Sequence, residues 1–132
     1  MIEPMNGPRS GCQLVAYHNA LWVLGGNDGL QHVRLKTVER YDPESGTWQH
    51  KTQMYNDRSN FACHVFKDRI YAIGGFSSGR TTRAVEYYEE ERDQWSYAGE
   101  LCNCRSAHSV AVLNGIHFGL MMLNRCDSTK HY

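Results

Sequence analysis

Arg58-Ser59-Asn60-Phe61-Ala62-Cys63-His64-Val65-Phe66-Lys67-Asp68-Arg69-Ile70-Tyr71-Ala72-Ile73-Gly74-Gly75 holds two short apolar segments around a polar pair and ends on a double glycine. The same layout starts at Arg9-Ser10, with His18-Asn19 as the polar pair and Gly25-Gly26 at the end. A third copy opens at Arg105-Ser106 and reaches Asn114-Gly115 at the matching offset. Further along each copy, Val38-Glu39-x-Tyr41 precedes Trp48 by the interval that separates Val85-Glu86-x-Tyr88 from Trp95. The period is 49 residues from Arg9 to Arg58 and 47 from Arg58 to Arg105. The two extra residues fall between the glycine pair and the Val-Glu pair, where a surface loop absorbs an insertion.

Each period reads as four strands. In the first period they run about Cys12 to Tyr17, Leu21 to Leu24, Thr37 to Tyr41, and onward from Thr47-Trp48. The two-residue links at His18-Asn19, Lys67-Asp68 and Asn114-Gly115 leave room only for tight hairpin turns, and Asn-Gly favours type I′. Asp42-Pro43-Glu44-Ser45-Gly46 is a turn by composition. No segment keeps a capped helical period, so an all-β chain is expected. A four-stranded antiparallel unit recurring every ~45–50 residues is the pattern of a propeller blade.

The double glycine, the following Tyr and the Trp beyond it resemble kelch repeats, over about Met5 to Gly115. The Gly-His and Trp-Asp pairs of a WD-type propeller do not occur. The fold expected is an incomplete kelch β-propeller of about two four-stranded antiparallel blades plus a partial third. Its divisions are residues 1–8 as the exit from a preceding blade, 9–57 and 58–104 as kelch repeats, 105–115 as the start of a third, and 116–132 as a divergent tail. Gly25, Gly26, Gly74 and Gly75 have a structural task, since a missing Cβ lets the backbone bend and approach a neighbouring blade. Tyr41, Trp48, Tyr88 and Trp95 are large enough to fill the gap between blades.

The third copy breaks off. Met121-Met122 stand where the glycine pair belongs, and no Val-Glu-x-Tyr or Trp follows. The resemblance implies a ring of five to seven blades, and six would need ~280 residues. The chain therefore reads as a piece of such a ring, with end blades exposing apolar faces and unpaired strand edges.

Lys+Arg and Asp+Glu number 14 each, which disfavours a nucleic-acid binder. No apolar run approaches ~18 residues, so no membrane span is expected, and residues 1–8 lack the layout of a signal peptide. Five cysteines at irregular spacing and no Asn-x-Ser/Thr acceptor fit the cytoplasm. Cys102, Cys104 and His108 are too few and too closely spaced for a structural zinc site. Neighbouring Cys63 and His64 point to opposite faces of a strand. The acidic run from Glu86 to Asp93 reads as a solvated hairpin tip. Gly25-Gly26-Asn27-Asp28-Gly29 lacks the Lys-Ser/Thr of a phosphate loop. The Arg-Ser pairs recur, whereas a catalytic Ser would need no copies. The expectation is no cofactor, no metal and no enzyme.

By resemblance, the module binds a protein substrate or peptide. It would be part of a substrate-recognition propeller in an adaptor for a cullin-type ubiquitin ligase, reached through BTB and BACK domains that these residues do not contain. An actin or cytoskeletal scaffold is the alternative. In each repeat the link between strands two and three (Asn27 to Lys36, Phe76 to Thr82) and the link leading to the next Arg emerge on one rim. That places Arg9, Asn27, Gln31, Arg58, Asn60, Ser77, Ser78, Arg80 and Arg105 at a partner-binding rim. Guanidinium forks and hydroxyls of this kind suit a short acidic or phosphorylated peptide. The competing reading is that each repeated Arg braces its own loop against the neighbouring blade.

Overall fold

A computed structural model describes residues 5, 7–30, 33–101, 112–113 and 116–117, the last four by backbone only. In chain order the strands are β1 (Arg9–Ser10), β2 (Gln13–Tyr17), β3 (Ala20–Leu24), β4 (Asn27–Asp28), β5 (Val38–Asp42), β6 (Thr47–Lys51) and β7 (Ala62–Phe66). They continue as β8 (Arg69–Ile73), β9 (Phe76–Ser77), β10 (Arg80–Thr81), β11 (Ala84–Glu89), β12 (Gln94–Glu100), β13 (Val112–Leu113) and β14 (Ile116–His117). No helix occurs among the described residues.

Two antiparallel meanders, β2-β3-β5-β6 and β7-β8-β11-β12, occupy the spans expected for two blades. β13, in the third copy, pairs antiparallel with β14 at the start of the expected divergent tail. The turns explain the pairing. His18 and Asn19 have φ of 48° and 57°, and Lys67 and Asp68 have 48° and 64°. Two consecutive left-handed residues make a type I′ turn, whose twist matches that of the flanking strands. The turn fixes register, so Tyr17 faces Ala20 and Phe66 faces Arg69. The Asn114-Gly115 turn lies outside the described residues.

Two small ribbons were not legible in the sequence. β1 pairs with β4, and β9 with β10, so each strand-two-to-strand-three link starts as an ordered ribbon rather than as an irregular loop. Two-residue strands are too short to show alternation.

The main core lies between the sheets. Tyr17, Trp22, Leu24 and Val38 of the first sheet meet Ile70, Ala72, Tyr88 and Trp95 of the second, with Met54 and Phe61 from the connecting segment. The rings of Trp22 and Tyr88 are 5.3 Å apart, as are those of Tyr88 and Trp95. Each buried indole keeps a hydrogen bond: Trp22 Nε1 donates to the Tyr17 carbonyl and Trp95 Nε1 to the Thr52 carbonyl, both at 2.9 Å. At the hairpin tips, Tyr17 donates its hydroxyl to the Asp68 carbonyl at 2.7 Å. His18 lies between the carboxylates of Asp68 and Glu90.

The pair Tyr41 and Trp48 repeats the geometry of Tyr88 and Trp95, with ring centroids 5.2 Å apart, yet both residues are only half-buried. They lie on the face of the first sheet turned away from the second. Trp95→Phe should therefore cost about 1–2 kcal/mol through a lost hydrogen bond and imperfect filling. Trp48→Phe should cost less than about half of that. Urea denaturation of the two variants compares them directly, and equal costs would contradict the asymmetry.

Candidate partner-binding rim

The first long link is tied to the connecting segment by backbone bonds. Met54 N donates to the Lys36 carbonyl and Arg58 N to the Leu35 carbonyl, each at 2.9 Å. Within the link, Asp28 N donates to the Val33 carbonyl at 2.8 Å and Leu35 N to the Gly26 carbonyl at 2.7 Å. Ser59 and Phe76 exchange two backbone bonds, at 2.9 and 3.1 Å, which join the connecting segment to the second link. The loops at this end form one continuous hydrogen-bonded surface.

Beneath it lies a repeated brace. Arg58 Nη1 donates to the carbonyls of Gly74 and Ala84, each at 2.8 Å, and Nη2 donates to Glu86 Oε2 at 3.0 Å. Arg9 does the same one repeat earlier, donating to the Gly25 and Thr37 carbonyls at 3.0 Å and to Glu39 Oε2 at 2.7 Å. Arg58 has no exposed surface, and Glu86 is 1% exposed. Burial draws the Arg58 pKa below its ordinary value, while the Glu86 carboxylate pulls it back up. Glu86 also accepts from the backbone N–H of Tyr55 at 2.8 Å and of Asn56 at 3.3 Å. The brace thus stitches the sheet to the segment that precedes it.

This geometry corrects the expectation of surface guanidinium forks at Arg9 and Arg58. Their donors face inward onto carbonyls and a carboxylate, because a buried guanidinium needs acceptors in the protein. The acidic run also divides differently than its composition implied. Glu86 and Tyr88 are buried, and Glu91, Arg92 and Asp93 are exposed at the turn.

Other expected rim residues divide by exposure. Asn60, Ser78 and Arg80 are exposed, Asn27 is half-buried within β4, and Ser77 is buried. Asp57 gathers the second link, accepting from Ser77 Oγ at 3.3 Å and from Ser78 N at 3.2 Å. Arg34 donates through Nε to Ser59 Oγ at 2.9 Å and lies 5.9 Å from the Phe76 ring centroid. Gln31, Arg105 and the trio Cys102, Cys104 and His108 lie outside the described residues.

Sequence reading missed Asp57 and Arg34, which have no counterpart in the neighbouring copy. It also missed the role of Glu39 and Glu86, although their recurrence after each Arg was a usable signal. A cleft of about 140 Å³ beside the first brace is smaller than ordinary small-molecule pockets. Burial pushes the Cys63 thiol well above its usual pKa, which disfavours a reactive thiolate. Among the described residues no group of three or more His, Cys, Asp or Glu is placed to hold a metal ion.

The Kelch motif family model matches residues 8–54 and 57–101. Mouse Kelch-like protein 35 is 38% identical over 124 residues, covering 91% of this chain and 21% of the relative. Human Kelch-like protein 34 is 32% identical over 116 residues, covering 80% of the chain and 18% of the relative. Kelch-like protein 15 of Danio rerio is 33% identical over 106 residues, covering 77% and 17%. The chain thus spans about a fifth of the length of the curated relatives it matches. Among solved structures, YjhT aligns with a TM-score of 0.64 at 17% identity, over 72% of this chain and 38% of YjhT, a likeness of fold.

Proposed function

The chain belongs to the kelch-motif family, and on that premise we propose that it is a protein-binding module whose partner docks on the rim formed by residues 27–30, 33–36, 52–60 and 76–82. The observation that carries this reading is the hydrogen-bonded continuity of those loops, with Asn60, Ser78 and Arg80 exposed on them. Rigid loops on a sheet scaffold lose little entropy on binding, so their exposed side chains make efficient contacts.

The wider role we propose is substrate recognition for a cullin-type ubiquitin ligase in the cytoplasm, with no catalytic step in the module itself. Relatives called Kelch-like proteins support that reading by name only. It is tested by precipitating the longer parent protein and probing for a cullin, whose absence would remove the ligase role.

The rim is tested by Ser78→Ala combined with Arg80→Ala. Both positions are exposed, so the melting temperature should stay within about 1 °C. Affinity for proteins captured by the parent should fall about tenfold, as when a contact worth ~1.4 kcal/mol is removed. Unchanged capture would take the second link out of the binding surface.

A further inference from the structure

The second brace shows what the first one leaves open. Glu86 takes donors from several directions: Arg58 Nη2 at 3.0 Å, Tyr55 N at 2.8 Å, and Asn56 through both its backbone N–H and its side-chain Nδ2, each at 3.3 Å. A carboxylate offers about four acceptor positions, so this one is fully used. In the first repeat Arg9 stands on Glu39 as Arg58 stands on Glu86. Two residues before Arg9, however, is Gly7, where the second repeat has Asn56. Glycine has no carboxamide to send to Glu39.

Beside Glu39 lies the cleft of about 140 Å³, walled by Gly7, Arg9, Glu39 and His50 together with Asp28 and Leu35 of the first long link. A cavity of about 150 Å³ admits a benzene ring, so this one admits the end of a side chain and little more. The Arg9 and Glu39 side chains are 5% and 1% exposed, so two of its walls are fixed. His50 pairs across from Glu39 and is exposed. Its counterpart across from Glu86, Tyr97, is 61% exposed although a preceding sheet is in place there. The position therefore lies at the surface in both repeats. Arg9 already balances the Glu39 charge at 2.7 Å, so a second full cation is not called for. The second repeat supplies a neutral amide, and N–H donors bind strongly to a carboxylate.

We infer that this cleft receives the primary carboxamide of an Asn or Gln side chain carried by a protein partner, its N–H groups donating toward Glu39. The inference rests on the rim reading above, since Asp28 and Leu35 belong to both surfaces, and it gives that rim a contact that selects the partner.

The test starts with propionamide titrated into the isotopically labelled 132-residue chain, followed through the amide signals of Gly7, Glu39 and His50. Those signals should shift and saturate, with propylammonium and propionate binding at least about fivefold more weakly. Gly7→Asn should weaken propionamide at least about tenfold, because the chain then fills its own cleft. Gly7→Ala is the control. An added Cβ meets nothing within 4 Å and Gly7 is not left-handed, so binding should stay within about threefold. Tighter binding of propylammonium, or propionamide binding that Gly7→Asn leaves intact, would overturn the inference.

A random twelve-residue peptide library panned against the same chain supplies the second arm. Peptides weakened by Ser78→Ala with Arg80→Ala should share an Asn or Gln and lose about tenfold on Gly7→Asn. Indifference of those peptides to Gly7→Asn would overturn the inference and leave the rim reading standing. Peptides weakened by Gly7→Asn alone would support the cleft and remove the second link from the surface. Indifference to both sets, or no enrichment, would sink the two together.

Discussion

Arg58→Ala is expected to cost about 3–5 kcal/mol, because it strips the guanidinium 3.0 Å away from a buried carboxylate. Glu86 would keep its bonds from Tyr55 and Asn56, but its charge would be uncompensated at 1% exposure. The carbonyls of Gly74 and Ala84 would also lose a charged donor. Arg58→Lys should recover less than half of the loss, since an ammonium cannot reproduce the planar fork that serves three acceptors at once. Arg9→Ala removes the matching brace beside the open face of the first sheet and should cost less, about 2 kcal/mol. Chemical denaturation of the three variants ranks them. An Arg58→Ala chain as stable as its parent would show that the brace is dispensable.

Gly25→Ala is expected to be as damaging, at about 3 kcal/mol or more. Gly25 sits at φ +59°, and an added Cβ would stand 2.6 Å from the Arg58 carbonyl oxygen and 3.0 Å from the Phe61 ring. The carbonyl is backbone, and it already accepts the Gly26 N–H at 2.6 Å. It cannot retreat without separating the two sheets. Gly79 supplies the control. Its φ is +81° with nothing within 4 Å of an added Cβ, so Gly79→Ala carries only the conformational cost, about 1 kcal/mol. The difference between their urea midpoints measures the clash, and similar midpoints would refute the close approach.

The repeat made the fold legible because turn chemistry and period agree. Lys67-Asp68 and His18-Asn19 stand at one offset from their arginines, and the glycine pairs close the same strand twice. The rim was harder to read, for a physical reason. The sequence carries the recurrence of Arg9 and Arg58 but not the direction of their side chains, and a repeated cation serves equally as a surface fork or a buried brace. Direction follows from Glu39 and Glu86, which lie 30 and 28 residues further along and approach only when strand three is laid beside strand two. Asp57, Arg34 and Tyr55 had no repeat partner to flag them, since loops vary wherever the scaffold does not constrain them.

The glycine pair also bears on how such a chain arose. Gly26 is crowded by Ser10 and Cys12 of its own repeat, whereas Gly25 is crowded by Arg58 and Phe61, which begin the following one, and by Met54 at the end of its own. Gly75 again meets its own repeat, at Ser59 and Phe61. One copy therefore encodes both halves of a joint, a socket for its successor and a plug for its predecessor. Each unit of about 49 residues carries the Arg and the glycine pair of that joint, while Cys12 stands where Phe61 does, so part of the fit is particular to this pair of copies. After duplication the joint restrains divergence at the glycines, while the links between strands are free to drift apart.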